Sequence, residues 1–452
     1  MRFADRPPGL LLVLGAASAL GACSLLTSLD DLRAPTPTDG GADTLADSPV
    51  PPDAPADKGG GSDSGADGGA DLSDLSRWSA FDLTSLGGAP TGLWGGTFDG
   101  RYVYLTPSSE DQTSSLAYRY DTTGSFTTTA GWLKFDLSST GAGATDFAGT
   151  VFDGHFVYFA PTWGGSVTVR YDPQLPFTQT SSWTLFDPGA AYTVRQGATF
   201  DGQFAYFVPT NDTVSRFDTT QSFTSPAAWT TVNVSTFSDA GSVDGFTGAI
   251  FDGRYVYLIP TTYPEFGNLT SGVVLRYDTH APFGASASWS SFDTHNVSSA
   301  ASGFAGGAFD GRYVYTVPYQ NDTNALDGLT VRYDTQAPFD IVSSWESFDM
   351  ETLNTLATGF TGAIFDGRYV YFVPRQFGGD GLVVQYDTQA SFTLASSWST
   401  FDTHAVNVNA GGFMGAIFDG EFVYFVPGPG HVIVRFDTTA LIQPPESGGS
   451  FF

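Results

Sequence analysis

The sequence predicts an all-β domain that consists of seven copies of one four-stranded unit, and three repeated markers support this prediction. A Phe-Asp-Gly tripeptide recurs at intervals of roughly 50 residues, starting at Phe98, Phe152, Phe200, Phe251, Phe309, Phe365 and Phe418. An aromatic residue followed by Asp recurs at Tyr120, Tyr171, Phe217, Tyr277, Tyr333, Tyr386 and Phe436. A tryptophan recurs at Trp78, Trp132, Trp183, Trp229, Trp289, Trp345 and Trp398. Four strands at this period, seven times over, are typical of a seven-bladed β-propeller with four-stranded antiparallel blades.

The unit that contains Phe251 illustrates how the four strands are assigned. Its first strand, 248–251, is short and begins with small residues, which suit a position beside a crowded central axis. Asp252-Gly253 then predicts a tight hairpin, which we expect to be a type I′ turn because Asp-Gly tolerates two positive φ angles. An aromatic second strand ends at Pro260, a third ends at Tyr277, and the fourth begins at Trp289.

The two ends of the repeat region predict how the ring closes. The region begins with a fourth-strand marker, Trp78 with Phe81 and Asp82, and it ends with a third-strand marker, Phe436. Seven complete blades therefore require that the N-terminal strand completes the last blade, beside 431–437. Such a closure leaves no blade with three strands and an open edge.

The order of the markers resembles the kelch repeat over roughly 77–437. Tyr257 in the second strand, Tyr277-Asp278 at the end of the third and Trp289 in the fourth follow the kelch order. Kelch repeats end their second strand with a Gly-Gly pair, whereas this chain has Ile259-Pro260 there, so we describe the repeat as kelch-like. The galactose-oxidase type of kelch enzyme needs a copper site with a Tyr–Cys crosslink. Cys23 is the chain's single cysteine and lies outside the repeats, so the resemblance does not extend to this copper site.

Charge and composition exclude several classes of function. The formal net charge is −29, from 18 basic and 47 acidic residues, so a nucleic-acid backbone would be repelled. Most propeller aspartates stand at repeat positions in turns, where a carboxylate accepts hydrogen bonds from its own backbone. The five histidines lack ligand spacing, and we expect neither a metal site nor a cofactor. No sequence motif identifies a catalytic residue.

The N-terminus resembles that of a bacterial lipoprotein. Arg2 and Arg6 precede an apolar run, 9–20, that is too short to span a bilayer and fits a secretion signal. The run ends in Leu20-Gly21-Ala22-Cys23, which resembles a lipobox. The resemblance implies cleavage before Cys23, lipidation of Cys23, and attachment to the cell envelope, at the outer membrane or the cell surface.

These features predict four segments. Residues 1–22 form the signal peptide, and 23–76 form a lipid-anchored, disordered tether rich in Asp, Gly, Ala and Pro. Residues 77–440 form the propeller and 441–452 a flexible tail. We expect a monomer.

A binding site is expected on one end of the ring. The connections between second and third strands differ strongly from unit to unit, whereas the Asp-Gly turns are nearly identical, so we expect the variable loops to present the ligand-binding surface. Exposed aromatic and polar residues in those loops suit a glycan or a partner protein. The candidate ligand-binding residues are Trp163, Tyr263, Glu265, Phe266, Asn268, Tyr319, Asn321, Asp322, Arg375, Phe377 and Asp380.

Three functions remain open at this point. The first is a membrane-anchored recognition module that binds a glycan or a surface protein. The second is a lyase or hydrolase acting on extracellular polysaccharide, which would require two carboxylates facing each other across the axial funnel, one with a raised pKa. The third is a structural envelope protein without a small ligand.

Overall fold

A computed structural model of the chain describes residues 70–438, with gaps at 89, 91, 109–112, 163–164, 190–194, 210–211, 236, 238–244, 261–270 and 375–379. The described residues form seven four-stranded antiparallel sheets, as the sequence predicts. In six sheets the four strands are consecutive in the chain, and in the seventh the most N-terminal strand lies beside the last three strands of the chain. The remaining regular structure consists of short 3-10 turns, most of which precede or follow a fourth strand.

The strands, blade by blade, have the following bounds. Blade 1 contains β2 (Leu93–Phe98), β3 (Tyr102–Pro107), β4 (Leu116–Asp121) and β5 (Trp132–Asp136), and blade 2 contains β6 (Phe147–Phe152), β7 (Val157–Pro161), β8 (Thr168–Tyr171) and β9 (Trp183–Phe186). Blade 3 contains β10 (Arg195–Phe200), β11 (Phe204–Pro209), β12 (Thr213–Asp218) and β13 (Trp229–Asn233), and blade 4 contains β14 (Phe246–Phe251), β15 (Tyr255–Pro260), β16 (Val273–Asp278) and β17 (Trp289–Asp293). Blade 5 contains β18 (Phe304–Phe309), β19 (Tyr313–Pro318), β20 (Leu329–Asp334) and β21 (Trp345–Asp349), and blade 6 contains β22 (Gly362–Phe365), β23 (Tyr369–Val373), β24 (Leu382–Asp387) and β25 (Trp398–Asp402). Blade 7 contains β26 (Phe413–Phe418), β27 (Phe422–Pro427), β28 (Val432–Asp437) and β1 (Trp78–Asp82).

The first strands of the blades form the inner wall of the ring, where each contacts the first strands of both neighbouring blades. Small residues are required there: a Cβ added to Gly149 would lie 2.8 Å from the Cα of Gly197 in the next blade. This contact confirms the expected crowding at the axis. The second strands are buried on both faces, as in β23, because each blade packs between two others.

The N-terminal strand closes the ring as predicted. Strand β1 pairs antiparallel with β28, with Trp78 opposite Phe436 and Asp82 opposite Val432. The ordered part of this closure extends upstream of residue 77, because Leu72 is buried in the core and its carbonyl accepts a hydrogen bond from Trp78 Nε1 at 2.8 Å. The same bond links every blade tryptophan to a carbonyl six residues earlier, for example Trp132 Nε1 to Phe126 O at 2.9 Å.

The Asp-Gly hairpins differ from the expected type I′ turn. Among the described non-glycine residues only Asp146 and Asn324 have positive φ, so the turn aspartates do not. In the blade 4 hairpin, Gly253 has φ +98° and Asp252 precedes the two central residues, with its N–H donating to Tyr255 O at 3.1 Å. With positive φ at Gly253 alone, the hairpin lacks the second positive φ that a type I′ turn requires. The type I′ prediction is therefore wrong, and the aspartate serves as a hydrogen-bond acceptor instead.

Arginines in the third strands join neighbouring blades. The guanidinium carbon of Arg119 lies 4.0 Å from the ring centre of Tyr102 in its own blade and 5.1 Å from that of Phe177 in the next blade. Its Nη1 donates to Tyr171 OH of the next blade at 3.2 Å. The same arrangement of an arginine between two rings recurs at Arg170, Arg216, Arg276, Arg332 and Arg435.

Candidate functional site

The ring has two chemically different ends, and hydrogen bonds assign each connection to one of them. At one end, which we call the Asp-Gly end, the hairpin residue Arg254 pairs with Asp278, the last residue of the third strand (Nη2–Oδ2 2.8 Å). At the other end, the variable-loop end, the inter-blade residue Thr294 donates its N–H to Gly272 O, just before the third strand, at 2.9 Å. The predicted separation of the two kinds of connection is thus confirmed.

The Asp-Gly end is fixed by the same bonds in every blade. In blade 5, Asp310 Oδ1 accepts hydrogen bonds from the backbone N–H groups of Arg312 (2.8 Å) and Tyr313 (2.6 Å), and Oδ2 accepts one from Tyr315 OH (2.6 Å). Burial and the adjacent carboxylate raise the pKa of Tyr315 above its usual value. The four arginines at 101, 254, 312 and 368 each pair with the Asp that ends the third strand of their blade. The aspartates thus have the turn role that the sequence predicts, and the arginines pair with them.

Aspartates at the end of the fourth strand also accept hydrogen bonds within turns. Asp82 Oδ1 accepts the N–H of Thr84 at 2.9 Å, and Asp349 Oδ1 accepts that of Glu351 at 2.9 Å. The same acceptor caps the turn at Asp136, Asp187, Asn233, Asp293 and Asp402. This turn carries the chain from the outer strand of one blade toward the inner strand of the next.

Of the eleven candidate ligand-binding residues, four are among the described residues. Tyr319, Asn321 and Asp322 lie in the blade 5 loop, and Asp380 lies in the blade 6 loop. The other candidates lie outside the described residues, as does the lipidation candidate Cys23: Trp163, Tyr263, Glu265, Phe266, Asn268, Arg375 and Phe377.

The blade 5 loop, 319–327, folds as a small hairpin on the variable-loop end. A bridge pairs Gln320 with Leu326, and Asn321 Oδ1 accepts the N–H of Thr323 (3.0 Å). Tyr319 is half-buried and donates its N–H to Gly303 O at 3.1 Å. Asn321 thus stabilises the loop, while Tyr319 lies at its base.

Asp322 connects this loop to the blade 4–blade 5 connection. Its Oδ1 accepts a hydrogen bond from Ser302 Oγ at 2.7 Å, and its Oδ2 lies 3.5 Å from His295 Nε2. His295 Nδ1 lies 2.7 Å from Asp293 Oδ1, so the imidazole lies between two carboxylates. Because Asp322 is exposed, the side chain is accessible while it holds the loop in place.

A second histidine repeats part of this arrangement in blade 6. His404 Nδ1 lies 2.6 Å from Asp402 Oδ1, and Asp380 in the same blade accepts the N–H of Leu382 at 3.1 Å. A glycine makes room for the imidazole in both blades: a Cβ at Gly272 would lie 2.7 Å from His295 Nδ1, and one at Gly381 would lie 2.8 Å from His404 Nδ1. The tripeptide Asp-Thr-His at 293–295 and 402–404 is the sequence signal for these two histidines, although it also occurs at 278–280, in the turn that follows a third strand.

Two carboxyl groups with raised pKa lie in blade 5. Burial raises the pKa of Asp327, and burial followed by the nearby Asp349 and Asp327 raises that of Glu351. Both groups lie beside Gly328, next to the third and fourth strands. They lie in the outer half of one blade, so they do not form the pair across the axial opening that a polysaccharide-cleaving site would require.

Two negative findings apply to the described part of the chain. Within it, no group of three or more His, Cys, Asp and Glu side chains is arranged to hold a metal ion. In the same residues, no helix has the length and apolar character needed to cross a bilayer.

Comparison with known proteins identifies the class of fold. The chain matches no family model and no curated protein. Among solved structures it is similar to YCF48 bound to a D1 peptide, with 13% identity and a TM-score of 0.52 over 82% of this chain and 98% of that one. It is also similar to PorZ, a surface component of the type-IX secretion system of Porphyromonas gingivalis, with 10% identity and a TM-score of 0.46 over 82% of this chain and 40% of PorZ. Identities this low establish the shared fold only.

Proposed function

We propose that this protein is a recognition module of the bacterial cell envelope, anchored by a lipid on Cys23 and binding a partner protein with its variable-loop end. The signal peptide, 1–22, would direct export, and the acidic segment from 23 to about the start of the ring would act as an extended tether. The kelch-like propeller would then be presented at the outer membrane or the cell surface.

The observation that carries this proposal is the position of the two chain ends on the ring. Trp78 lies opposite Phe436 in the closing pair, and Asp437 lies opposite Phe422, directly after the last Asp-Gly turn. Both described ends of the chain therefore leave the ring at the Asp-Gly end. A tether attached there leaves the variable loops on the opposite end, where a partner can approach.

A protein partner fits the described loop residues better than a glycan does. Asn321 and Asp322, which could have bonded sugar hydroxyls, are engaged in holding the blade 5 loop. Apart from the engaged Asp322, this end carries carboxylates at Glu351, Asp380 and Asp402, and their negative charge suits a basic peptide segment. The similarity to YCF48, solved with a D1 peptide, agrees with a peptide-binding use of this fold.

The anchor is tested by Cys23→Ala in the full-length chain. We expect the variant to leave washed membranes while its soluble propeller keeps the same melting temperature, because the lipid is the membrane attachment we infer. If the variant still sediments with membranes after a carbonate wash, the lipid-anchor proposal fails.

The binding end is tested by site-specific crosslinking. Cys23 is the single cysteine and is kept, because the proposed lipid blocks its thiol and holds the protein at the envelope. Ala325→Cys on the variable loop and Gln336→Cys on the Asp-Gly end then each provide one free thiol for a photocrosslinker. Both positions lie in blade 5 and are exposed. We expect the probe at 325 to capture a defined partner and the probe at 336 to capture none. Capture from 336 alone would overturn the assignment.

A further inference from the structure

A histidine at the variable-loop end lies between two carboxylates that come from different parts of the chain. His295 Nδ1 lies 2.7 Å from Oδ1 of Asp293, the last residue of β17. The other ring nitrogen, Nε2, lies 3.5 Å from Oδ2 of Asp322 in the blade 5 loop. Ser302 Oγ donates to Asp322 Oδ1 at 2.7 Å and holds this carboxylate beside the imidazole. The cluster therefore joins the connection between blades 4 and 5 to the blade 5 loop.

Two carboxylates around one imidazole are both satisfied only when the imidazole is protonated. A neutral imidazole has one N–H donor and one acceptor nitrogen, whereas an imidazolium has two donors. In the neutral form, one ring nitrogen therefore turns a lone pair toward a carboxylate oxygen, which opposes that contact. In the protonated form, both nitrogens donate, and one positive charge lies between two negative charges. Imidazole side chains are the ones that ordinarily change charge between about pH 5 and pH 8.

The elements packed against the His295 ring add no further charge among the described residues. The end of β17 supplies Asp293, and the blade 5 loop supplies Asp322. The residue before β16 is Gly272, where an added Cβ would lie only 2.7 Å from His295 Nδ1. Glycine at this position leaves room for the ring without contributing a charged group. The protonation state of His295 therefore determines whether the contact with Asp322 is attractive.

We propose that His295 is a pH-dependent latch for the blade 5 loop, 319–327. In mildly acidic medium the imidazolium bonds both Asp293 and Asp322 and fastens the loop to the connection between blades 4 and 5. At higher pH the neutral imidazole keeps its bond to Asp293 and releases Asp322, and the bond from Ser302 remains. The stabilisation of the closed loop is thus present in acid and lost as the pH rises through the titration of the imidazole. Because candidate ligand-binding residues lie on this loop, the latch sets how firmly part of the variable-loop end is ordered.

The test is hydrogen exchange of the full-length chain at about pH 5 and about pH 8, read by mass spectrometry. Each rate is corrected for the intrinsic exchange rate of its amide at that pH. Protection of residues 319–327 should be about two- to fivefold higher at the lower pH, the range expected for one partly exposed ion pair. Peptides from β3, in the core of blade 1, are the internal reference and should show equal protection at both pH values.

Three substitutions identify the group that responds to pH. His295→Gln keeps a donor for Asp293 but cannot be protonated, so it should abolish the difference in protection at 319–327. Asp322→Asn removes the second carboxylate and should do the same. His404→Gln is the matched control and should keep the full difference. His404 contacts a carboxylate in blade 6 through the same ring nitrogen, and within the described residues no second carboxylate lies at ion-pair distance from its ring.

Three outcomes overturn the latch. Equal protection of 319–327 at both pH values in the wild-type chain means that the charge of His295 does not hold the loop. A difference that persists in His295→Gln assigns the response to another group, such as Asp327, which lies in the same loop and whose pKa is raised by burial. A difference that is lost in His404→Gln as well means that the response belongs to the whole variable-loop end rather than to this cluster.

Discussion

The side-chain amide of Gln385 donates a hydrogen bond to the carbonyl of Ala70 at 3.3 Å and thereby joins blade 6 to the residues that precede the closing strand. The same amide donates to Tyr371 OH at 3.2 Å. In the other six blades this third-strand position is an arginine held between two rings. Here Leu72 stands where the neighbouring blade would supply the second ring, because its carbonyl accepts the bond from Trp78 Nε1 that a phenylalanine carbonyl accepts elsewhere. Glutamine replaces arginine where the aromatic partner is missing.

Replacing this amide should loosen the start of the closing segment. We expect Gln385→Leu to cost about 1–3 kcal/mol in the free energy of unfolding, because the buried carbonyl of Ala70 and the hydroxyl of Tyr371 each lose a partner. Hydrogen exchange of residues 70–77 should accelerate. Arg332→Met, at the same repeat position in blade 5, is the matched control that should destabilise its own interface and leave exchange at 70–77 unchanged. Equal acceleration in both variants would contradict this role for Gln385.

Two deletions distinguish the contribution of the predicted tether to thermal stability from that of the closing strand β1. A chain that starts at residue 70 should keep the full melting temperature, since Ala70 and Leu72 are buried in the ring. Deleting residues 77–83 removes β1, including the buried Trp78 and Phe81, and should lower the melting temperature by at least about 10 °C. The exposed edge of β28 should also promote association, which light scattering would detect. An unchanged melting temperature after deletion of residues 77–83 would show that β1 contributes nothing to the stability of the ring.

The sequence predicted the repeated elements because each has a fixed chemical marker. Trp78 was assigned to the last blade from its marker alone, and the register with Phe436 confirms it. Leu72 could not be assigned, because a single apolar residue in an Asp- and Gly-rich segment has no periodic partner. Periodic features were therefore predictable, and departures from the period required the structure.

The raised pKa of Asp327 has a consequence for the pH dependence of stability. Burial raises this pKa above 3.8, so the folded state holds the proton more tightly than the unfolded state does. Protonated Asp327 therefore stabilises the folded protein fully when the pH is below the pKa that Asp327 has in the unfolded chain. This stabilisation is lost as the pH rises through the higher pKa that Asp327 has in the folded protein. Asp327→Asn should therefore be more stable than the wild type at pH 7, by on the order of 1 °C in melting temperature. The difference should vanish near pH 4.

Asp340→Asn provides the reference for that comparison, since this carboxylate is exposed in the same blade. Other carboxyl groups have a lowered pKa, such as Asp334 beside Arg312, and their protonation in acid destabilises the wild type and each variant equally. Their effect therefore cancels from the difference in melting temperature between variant and wild type. If Asp327→Asn is less stable than the wild type at neutral pH, its bond to the Leu329 N–H needs the charge, and burial is not the dominant effect.

The last prediction concerns the end of the ring that binds. Trp163→Ala together with Tyr319→Ala, both on variable loops, should lower the affinity for the crosslinked partner at least about tenfold, because an aromatic contact typically contributes on the order of 1–3 kcal/mol. Asp310→Asn, at the Asp-Gly end, should lose its bond from Tyr315 OH and cost about 1–3 kcal/mol in stability. The affinity of Asp310→Asn for the partner should stay within about twofold of the wild-type affinity, because a substitution away from the interface changes the free energy by only about 0.5 kcal/mol. Affinity would be measured by calorimetry, with unfolding in urea as the stability readout. Binding that survives the loop pair and is lost in Asp310→Asn would place the partner on the Asp-Gly end and would overturn the assignment of the variable loops as the recognition surface.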